Sequence, residues 1–154
     1  LKSIDPNMYK CCDKHRMFIE IEQNSDNLYV ESIVFNTEGL VGQIIGESKF
    51  YEVLLLTDIS HSLPIKLYSS EFFCNAKGSG RSEYIICSYN PLLWTNEIKK
   101  NQNVYTSGLG GVYPKDIEVG YVSSIENIDS TQTNIEIKLL ASPLNGNMFG
   151  VLKY

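Results

Sequence analysis

The segment Thr106-Ser107-Gly108-Leu109-Gly110-Gly111-Val112-Tyr113-Pro114 contains three glycines within four residues. Glycine accepts positive φ angles and lets a neighbouring backbone approach closely, whereas proline fixes a turn and cannot donate a backbone hydrogen bond. An apolar run resumes soon afterwards at Val119-Gly120. The segment therefore predicts a tight corner between two strands of a β-barrel.

A phosphate-binding loop is the other structure that such glycines suggest. A P-loop ends in Lys followed by Ser or Thr and leads into a helix, and neither feature follows Pro114. We expect neither a nucleotide nor any other cofactor at this segment.

Around this corner, apolar and polar residues alternate along much of the chain, which is the period of a strand with one face in a core. Met17–Glu22 and Asn134–Leu139 are clear examples. Turn-forming residues separate such runs, at Asn24–Asn27, Lys77–Gly80 and Pro143–Gly146. Leu92–Lys100 is the only helix candidate, with about two turns. The sequence predicts an all-β fold.

A weak internal repeat relates two parts of the chain. Val34–Gly42 and Val104–Gly111 each combine a strand, a polar pair and a glycine turn, and a further apolar run follows each. Two copies suggest two similar barrels, since a solenoid needs at least three repeats. We expect a first barrel over residues 1–60 and a second over 61–132, joined near Asp58–Pro64. About 60 residues are marginal for an independent barrel, so strands within 133–154 are expected to return and complete the first.

Composition narrows the functional classes. The 154 residues are 43% hydrophobic and 20% charged, with a net charge of -5 and no run of Lys or Arg. Nucleic-acid binders usually carry a basic stripe, so we expect no nucleic-acid partner. No apolar stretch approaches the roughly 20 residues that span a bilayer. The chain begins at Leu1 without a Met, so we expect any membrane anchor to lie outside it.

Four cysteines are present, none with the spacing of a metal site. Cys11 and Cys12 are adjacent, while Cys74 and Cys87 could face each other across a hairpin. We expect four thiols that behave as small hydrophobic residues, with a Cys74–Cys87 disulfide as the alternative.

Three segments resemble a known family, that of the rod shape-determining protein MreC. Thr106–Pro114 with Val119-Gly120 closely resembles the signature segment of that family. Gly39-Leu40-Val41-Gly42 matches a second segment, and Val53–Asp58 with Pro64 matches a third. The matches follow the family's order and spacing and frame most of the chain.

The resemblance implies two small β-barrel domains, comparable to the double barrel of trypsin-like proteases. It implies a non-enzymatic scaffold that determines rod shape within the cell-wall elongation complex, at the periplasmic face of the bacterial inner membrane. A single-pass anchor and a coiled coil are implied ahead of Leu1. The implied partners are the peptidoglycan transpeptidase penicillin-binding protein 2, the membrane shape protein MreD, and a second copy bound through the coiled coil.

Several positions depart from the family's pattern. Where the family commonly has glycine, this chain has Asn27, Ser32, Asn101 and Asp116. Asn and Asp tolerate the left-handed region best among non-glycine residues, so we expect the turns to survive at all of these positions except Ser32.

A further departure lies in Leu67–Ala76, where aromatic residues replace the family's small ones. Tyr68 and Phe72 would share one face of a strand, and Phe73 would lie on the other. Since both faces cannot fill one small core, at least one Phe should be partly exposed. We therefore expect Tyr68, Phe72 and Phe73 to contribute to the surface that binds penicillin-binding protein 2, unless both Phe residues only pack the barrel.

Two alternative functions compete with the scaffold. A trypsin-like hydrolase needs His, Asp and Ser side chains in contact. His15 and His61 are the only histidines, the spacing of Asp58 and His61 is not that of a protease, and no protease motif surrounds Ser107. A glycan-binding β-domain could stack sugars on Trp94 and on tyrosines, although aromatic residues also fill β cores.

Overall fold

The computed structural model describes residues 14–20, 31–47, 50–67, 72–93, 98–144 and 148–152. Within these ranges the chain forms strands and turns without a helix, which confirms the all-β prediction. The strands are β1 (Arg16–Ile19), β2 (Ile33–Asn36), β3 (Gly39–Glu47), β4 (Tyr51–Leu55), β5 (Ser62–Leu67), β6 (Phe73–Gly78), β7 (Tyr84–Tyr89), β8 (Asn103–Thr106), β9 (Glu118–Asp129), β10 (Gln132–Leu139) and β11 (Gly150–Leu152).

The strands form two units. A five-stranded antiparallel sheet has the order β1-β4-β3-β2-β11, and six strands close into a barrel in the order β10-β7-β6-β5-β8-β9. The barrel interior is filled by alternate residues of its strands, as in β10, where Ile135, Ile137 and Leu139 are buried. A second apolar cluster, which includes Met17, Ile44 and Phe149, fills the space beneath the five-stranded sheet.

The prediction that strands within residues 133–154 complete the first barrel is wrong for β10. Strand β10 lies in the barrel, where it pairs with both β7 and β9. The reason is local, because a two-residue turn joins β9 to β10, and Asp129 fastens it by accepting hydrogen bonds from the backbone and hydroxyl of Thr131. Such a short connection returns the chain alongside β9. Among the described C-terminal strands, β11 is the one that joins the first sheet, through β2.

Both copies of the internal repeat form antiparallel strand pairs, β2 with β3 and β8 with β9. Val34 lies opposite Gly42 in the first pair, and Val104 lies opposite Gly120 in the second. The register shifts immediately after each valine, between Val34 and Phe35 and between Val104 and Tyr105. The two strand pairs are therefore equivalent down to the position of the bulge.

Cys74 and Cys87 form a disulfide with Cα atoms 6.2 Å apart, within the usual range. The expectation of unpaired thiols was wrong for this pair, because the strand alternation directs both side chains into the barrel from neighbouring strands. Cys11 and Cys12 lie outside the described residues.

The residues that stand where the family commonly has glycine differ in backbone conformation. Asn101 and Asp116 have φ angles of 70° and 68°, which confirms that they keep the left-handed turns. Ser32 is fully buried, and the positive φ falls on its neighbour Glu31. Asn27 lies outside the described residues.

The helix candidate Leu92–Lys100 contains no helix where it is described, at Leu92–Leu93 and Ile98–Lys100. No helix within the described ranges has the length and apolarity to cross a membrane.

The two equivalent glycines allow close backbone contact. A Cβ atom on Gly42 would lie 2.2 Å from the Leu54 carbonyl oxygen, and one on Gly120 would lie 2.0 Å from that of Lys138. Gly46 has more room, because a Cβ atom there would lie 3.7 Å from its nearest neighbour, Glu52 Oε1.

We expect Gly42→Ala and Gly120→Ala each to lower the free energy of unfolding by at least about 2 kcal/mol, because overpacking moves backbone. Gly46→Ala is the matched control and should change it by less than about 0.5 kcal/mol. Urea unfolding curves of the three variants measure the difference. Equal midpoints for all three would contradict the close-contact explanation.

Signature loop and candidate interaction face

The loop of residues 107–117, which joins β8 to β9, is called the signature loop here. Buried Thr106 fastens its base, since the Thr106 hydroxyl donates to the Pro114 carbonyl at 2.5 Å and accepts from the Ile117 backbone at 2.9 Å. Inside the loop, Gly108, Gly110 and Gly111 have φ angles of 79°, 81° and 72°. The expectation that these glycines include positive φ angles is confirmed.

Tyr113 of the signature loop reaches a buried histidine. Its hydroxyl lies 2.6 Å from Nε2 of His61, and both side chains are almost fully buried. The other ring nitrogen of His61, Nδ1, is buried without a hydrogen-bond partner. Burial lowers the pKa of His61 to about 4, against a smaller opposing effect of the Asp58 charge, and burial raises the pKa of Tyr113. The pair is therefore neutral at ordinary pH.

Asp58 organises the connection between the two units. Its carboxylate accepts hydrogen bonds from the His15 backbone at 2.8 Å, from Arg16 Nε at 3.1 Å, and from the backbone and hydroxyl of Ser60. Burial raises the pKa of Asp58, but the hydrogen bonds from Ser60, His15 and Arg16 outweigh it and hold that pKa below its usual range. Because His15 directly precedes β1 and Arg16 begins it, the contacts join the first sheet to the chain that enters the barrel.

The residues considered for a hydrolase have other partners. His61 Nε2 pairs with Tyr113, and the Ser107 hydroxyl accepts a hydrogen bond from the Leu109 backbone at 3.2 Å. His15 Nδ1 lies 2.6 Å from the Thr57 hydroxyl. In these contacts each imidazole pairs with a buried hydroxyl group of the fold, that of Tyr113 or that of Thr57.

On the outer wall of the barrel, Phe73 is the more exposed of two exposed aromatic residues in the described ranges, since Tyr121 on β9 is 36% exposed. Phe73 on β6 is 51% exposed and lies opposite Lys66 on β5, which lies opposite Tyr105 on β8. Directly opposed residues share one face of a sheet, so Phe73, Lys66 and Tyr105 form a row across three strands. This row is called the Phe73 face.

Lys66 links the Phe73 face to the signature loop. Its ammonium group forms an ion pair with Asp116, which sits in the last turn of the loop. The hydrogen bond from Lys66 lowers the pKa of Asp116. The loop and the face therefore share one charged contact on the surface.

The other two aromatic residues of the sequence prediction differ from Phe73. Phe72 is 2% exposed and packs edge-to-face on Tyr89, with ring centroids 5.2 Å apart. The expectation of a surface role is corrected for Phe72, because the alternation that turns Phe73 outward turns its neighbour into the barrel. Tyr68 lies outside the described residues.

The part of the barrel wall beside β6, at β7 and β10, carries charge pairs. Arg81 and Glu83, in the turn before β7, form ion pairs with Glu136 and Lys138 of β10. Both cations also lie over the Tyr84 ring, at 4.8 Å and 5.1 Å. The charged side chains of this wall pair with one another, whereas the Phe73 ring remains half-exposed.

Additional apolar surface lies near the start of β6. Leu92 and Leu93 are 70% and 83% exposed and follow the end of β7. The contact of Phe72 with Tyr89 places the end of β7 beside the start of β6. Surface roles for Leu92, Leu93 and the Lys66–Tyr105 row were not predicted from the sequence. The alternation of buried Leu63, Ile65 and Leu67 implies that Lys66 points outward. It does not show which residues of other strands lie beside Lys66.

No other described feature suggests a ligand. An apolar cavity of about 250 Å³ is lined by residues such as Ile33, Leu40 and Ile117, with Asn36 as a polar member. Sugars need several polar partners, so the cavity does not suit a glycan, and Trp94 lies outside the described residues. Within the described ranges, no three His, Cys, Asp or Glu side chains converge as a metal site requires.

Comparison with known proteins gives one consistent match. The family model for "Rod shape-determining protein MreC, barrel core" matches residues 14–153. The cell shape-determining protein MreC of Haemophilus influenzae is 34% identical over 121 residues, which are 77% of this chain and 34% of that protein. The chain thus spans about a third of the length of the curated relatives it matches.

Solved structures agree on the fold. The crystal structure of MreC from Pseudomonas aeruginosa has a TM-score of 0.79 at 25% identity, over 99% of this chain and 94% of that one. A complex between penicillin-binding protein 2 and MreC from Helicobacter pylori contains a chain with a TM-score of 0.64 at 18% identity, over 94% of this chain and 85% of that one.

The buried neutral His61 makes stability depend on pH. In the unfolded chain its pKa returns to about 6.5, so between that value and about 4 the unfolded state binds the extra proton. Stability therefore falls as the pH drops through this window. We expect the parent to lose roughly 2 kcal/mol more than His61→Gln between pH 7.5 and 4.5, measured by urea unfolding. Parallel losses in both proteins would argue against a buried neutral His61.

Proposed function

The chain belongs to the family of the rod shape-determining protein MreC, and on this premise we propose that it is a non-enzymatic scaffold that holds penicillin-binding protein 2 within the cell-wall elongation complex. The Phe73 face is the proposed contact, and the uncovered Phe73 ring is the observation that carries the proposal. The complex of penicillin-binding protein 2 with MreC from Helicobacter pylori supports this class of partner.

The Phe73 face and the β7–β10 wall differ in how far their side chains are paired with neighbours in the barrel. Aromatic residues are enriched among the residues that dominate binding energy, particularly where a partner excludes water from them. Phe73 has the apolar Leu92 and Leu93 near its end of the barrel, whereas the β7–β10 wall is occupied by its own charge pairs. Lys66 and Asp116 supply a polar rim of the kind that surrounds such anchors.

The proposed role also includes a periplasmic location and assembly with other proteins at the inner membrane. The Cys74–Cys87 disulfide favours an oxidising compartment such as the periplasm. Attachment to the inner membrane through an anchor ahead of Leu1, contact with MreD, and self-association through a coiled coil complete the proposed role. The structural use of His61, His15 and Ser107 supports a role without catalysis.

We expect Phe73→Ala to weaken binding to the purified periplasmic part of the same organism's penicillin-binding protein 2 by about 30-fold or more, equivalent to about 2 kcal/mol. Isothermal titration calorimetry measures the change. Ile128→Ala is the matched control, because Ile128 is 46% exposed on β9, three strands away around the barrel, and should bind like the parent.

Circular dichroism and thermal melting must show that both variants are folded. Phe72→Ala serves as a folding comparison, since removal of its buried ring should lower stability by about 3–5 kcal/mol. If folded Phe73→Ala binds as tightly as the parent, the interface lies elsewhere.

A further inference from the structure

Among the described strands of the closed barrel, the junction between β6 and β7 has the fewest registered residue pairs, two against three at β5–β8 and three at β8–β9. These strands share two registered residue pairs, Lys77 with Ile86 and Gly78 with Ile85. By comparison, β6 shares five pairs with β5, and β7 shares six with β10. Towards the start of β6 the regular ladder is replaced by two side-chain contacts, the disulfide of Cys74 with Cys87 and the packing of Phe72 on Tyr89.

We propose that Cys74–Cys87 is a thiol–disulfide exchange site, served by a dithiol oxidoreductase, whose oxidation closes the β6–β7 junction and fixes the adjacent Phe73. Phe73 directly precedes Cys74, so a covalent bond at Cys74 restrains the backbone that carries the exposed ring. The effect on partner binding rests on the proposed function, whereas the closure of the barrel does not.

The two sulfurs differ in how accessible they are to a reaction partner, and this difference determines which cysteine reacts first. Cys87 is completely buried, while Cys74 is only partly buried. The Cys74 thiolate attacks the disulfide of the oxidised partner, forms a mixed disulfide and releases one partner thiolate. The Cys87 thiolate then attacks the Cys74 sulfur, which forms the internal disulfide and releases the second partner thiolate. The partner gains two electrons, and the two cysteine protons end on its two thiols.

Trapping with glutathione disulfide tests which cysteine reacts first. All variants carry Cys11→Ser and Cys12→Ser, so that the remaining thiols belong to the junction. The Cys87→Ser variant should form a mixed disulfide at Cys74, and the Cys74→Val variant should leave Cys87 at least tenfold less modified, by mass spectrometry. Equal modification of both cysteines in folded variants would overturn the assigned order.

Hydrogen exchange tests the closure of the junction. Reduction with a phosphine, verified by alkylation of both thiols, should speed amide exchange in residues 73–78 and 84–89 at least tenfold and leave β3 and β4 unchanged. Cys74→Val restores apolar bulk without the bond and should behave like the reduced protein. If exchange in β6 and β7 is the same with and without the bond, or if Cys74→Val exchanges faster throughout the chain, the proposal is wrong.

Binding to penicillin-binding protein 2 separates this inference from the proposed function. The oxidised protein should bind at least tenfold more tightly than Cys74→Val. An oxidised protein that fails to bind would refute the proposed function, while the exchange measurements would still decide the role of the disulfide. Equal binding by both proteins would refute the link between the disulfide and Phe73.

Discussion

Closure of the six-stranded barrel brings backbone segments closer together than a side chain would allow. A Cβ atom on Gly78 would lie 1.8 Å from the Asp58 carbonyl oxygen, and the backbone amide of Gly78 donates to the His61 carbonyl at 3.2 Å. The end of β6 is thereby held against the connection that leaves the first sheet. At Gly120, one of the two equivalent repeat glycines, β9 meets β10 just beyond the signature loop. These close contacts set the geometry within which the remaining side chains find partners.

Buried polar groups then fix how the sheet meets the barrel. The Asp58 carboxylate binds donors from β1 and from its own turn, and Arg16 extends the network to Glu52. Such contacts are directional, and a buried network is favourable only when its members are satisfied. His61 is the exception, because one ring nitrogen has no hydrogen-bond partner. The contact of His61 with Tyr113 nevertheless links the connection between the sheet and the barrel to the signature loop.

The sequence predicted those features that depend on local spacing. The inward positions of Ile135 and Ile137, the glycine corner, and the left-handed turns at Asn101 and Asp116 follow from side-chain period and φ preference. Alternation tells which face a residue occupies but not which strand lies beside it. The place of β10, the Cys74–Cys87 pair and the row around Lys66 depend on strand pairing, so they became visible only in three dimensions.

The equivalence of the two strand pairs has a consequence for how such a chain can evolve. The valine–glycine pairing and the bulge are the same in both, but two residues connect β2 to β3, whereas the signature loop connects β8 to β9. Duplication of one strand–turn–strand unit would produce this arrangement. The pairing that preserves the fold lies in the strands, and surface connections accept insertions readily. One copy can therefore keep an ancestral short turn while its sister accumulates an insertion on which selection acts.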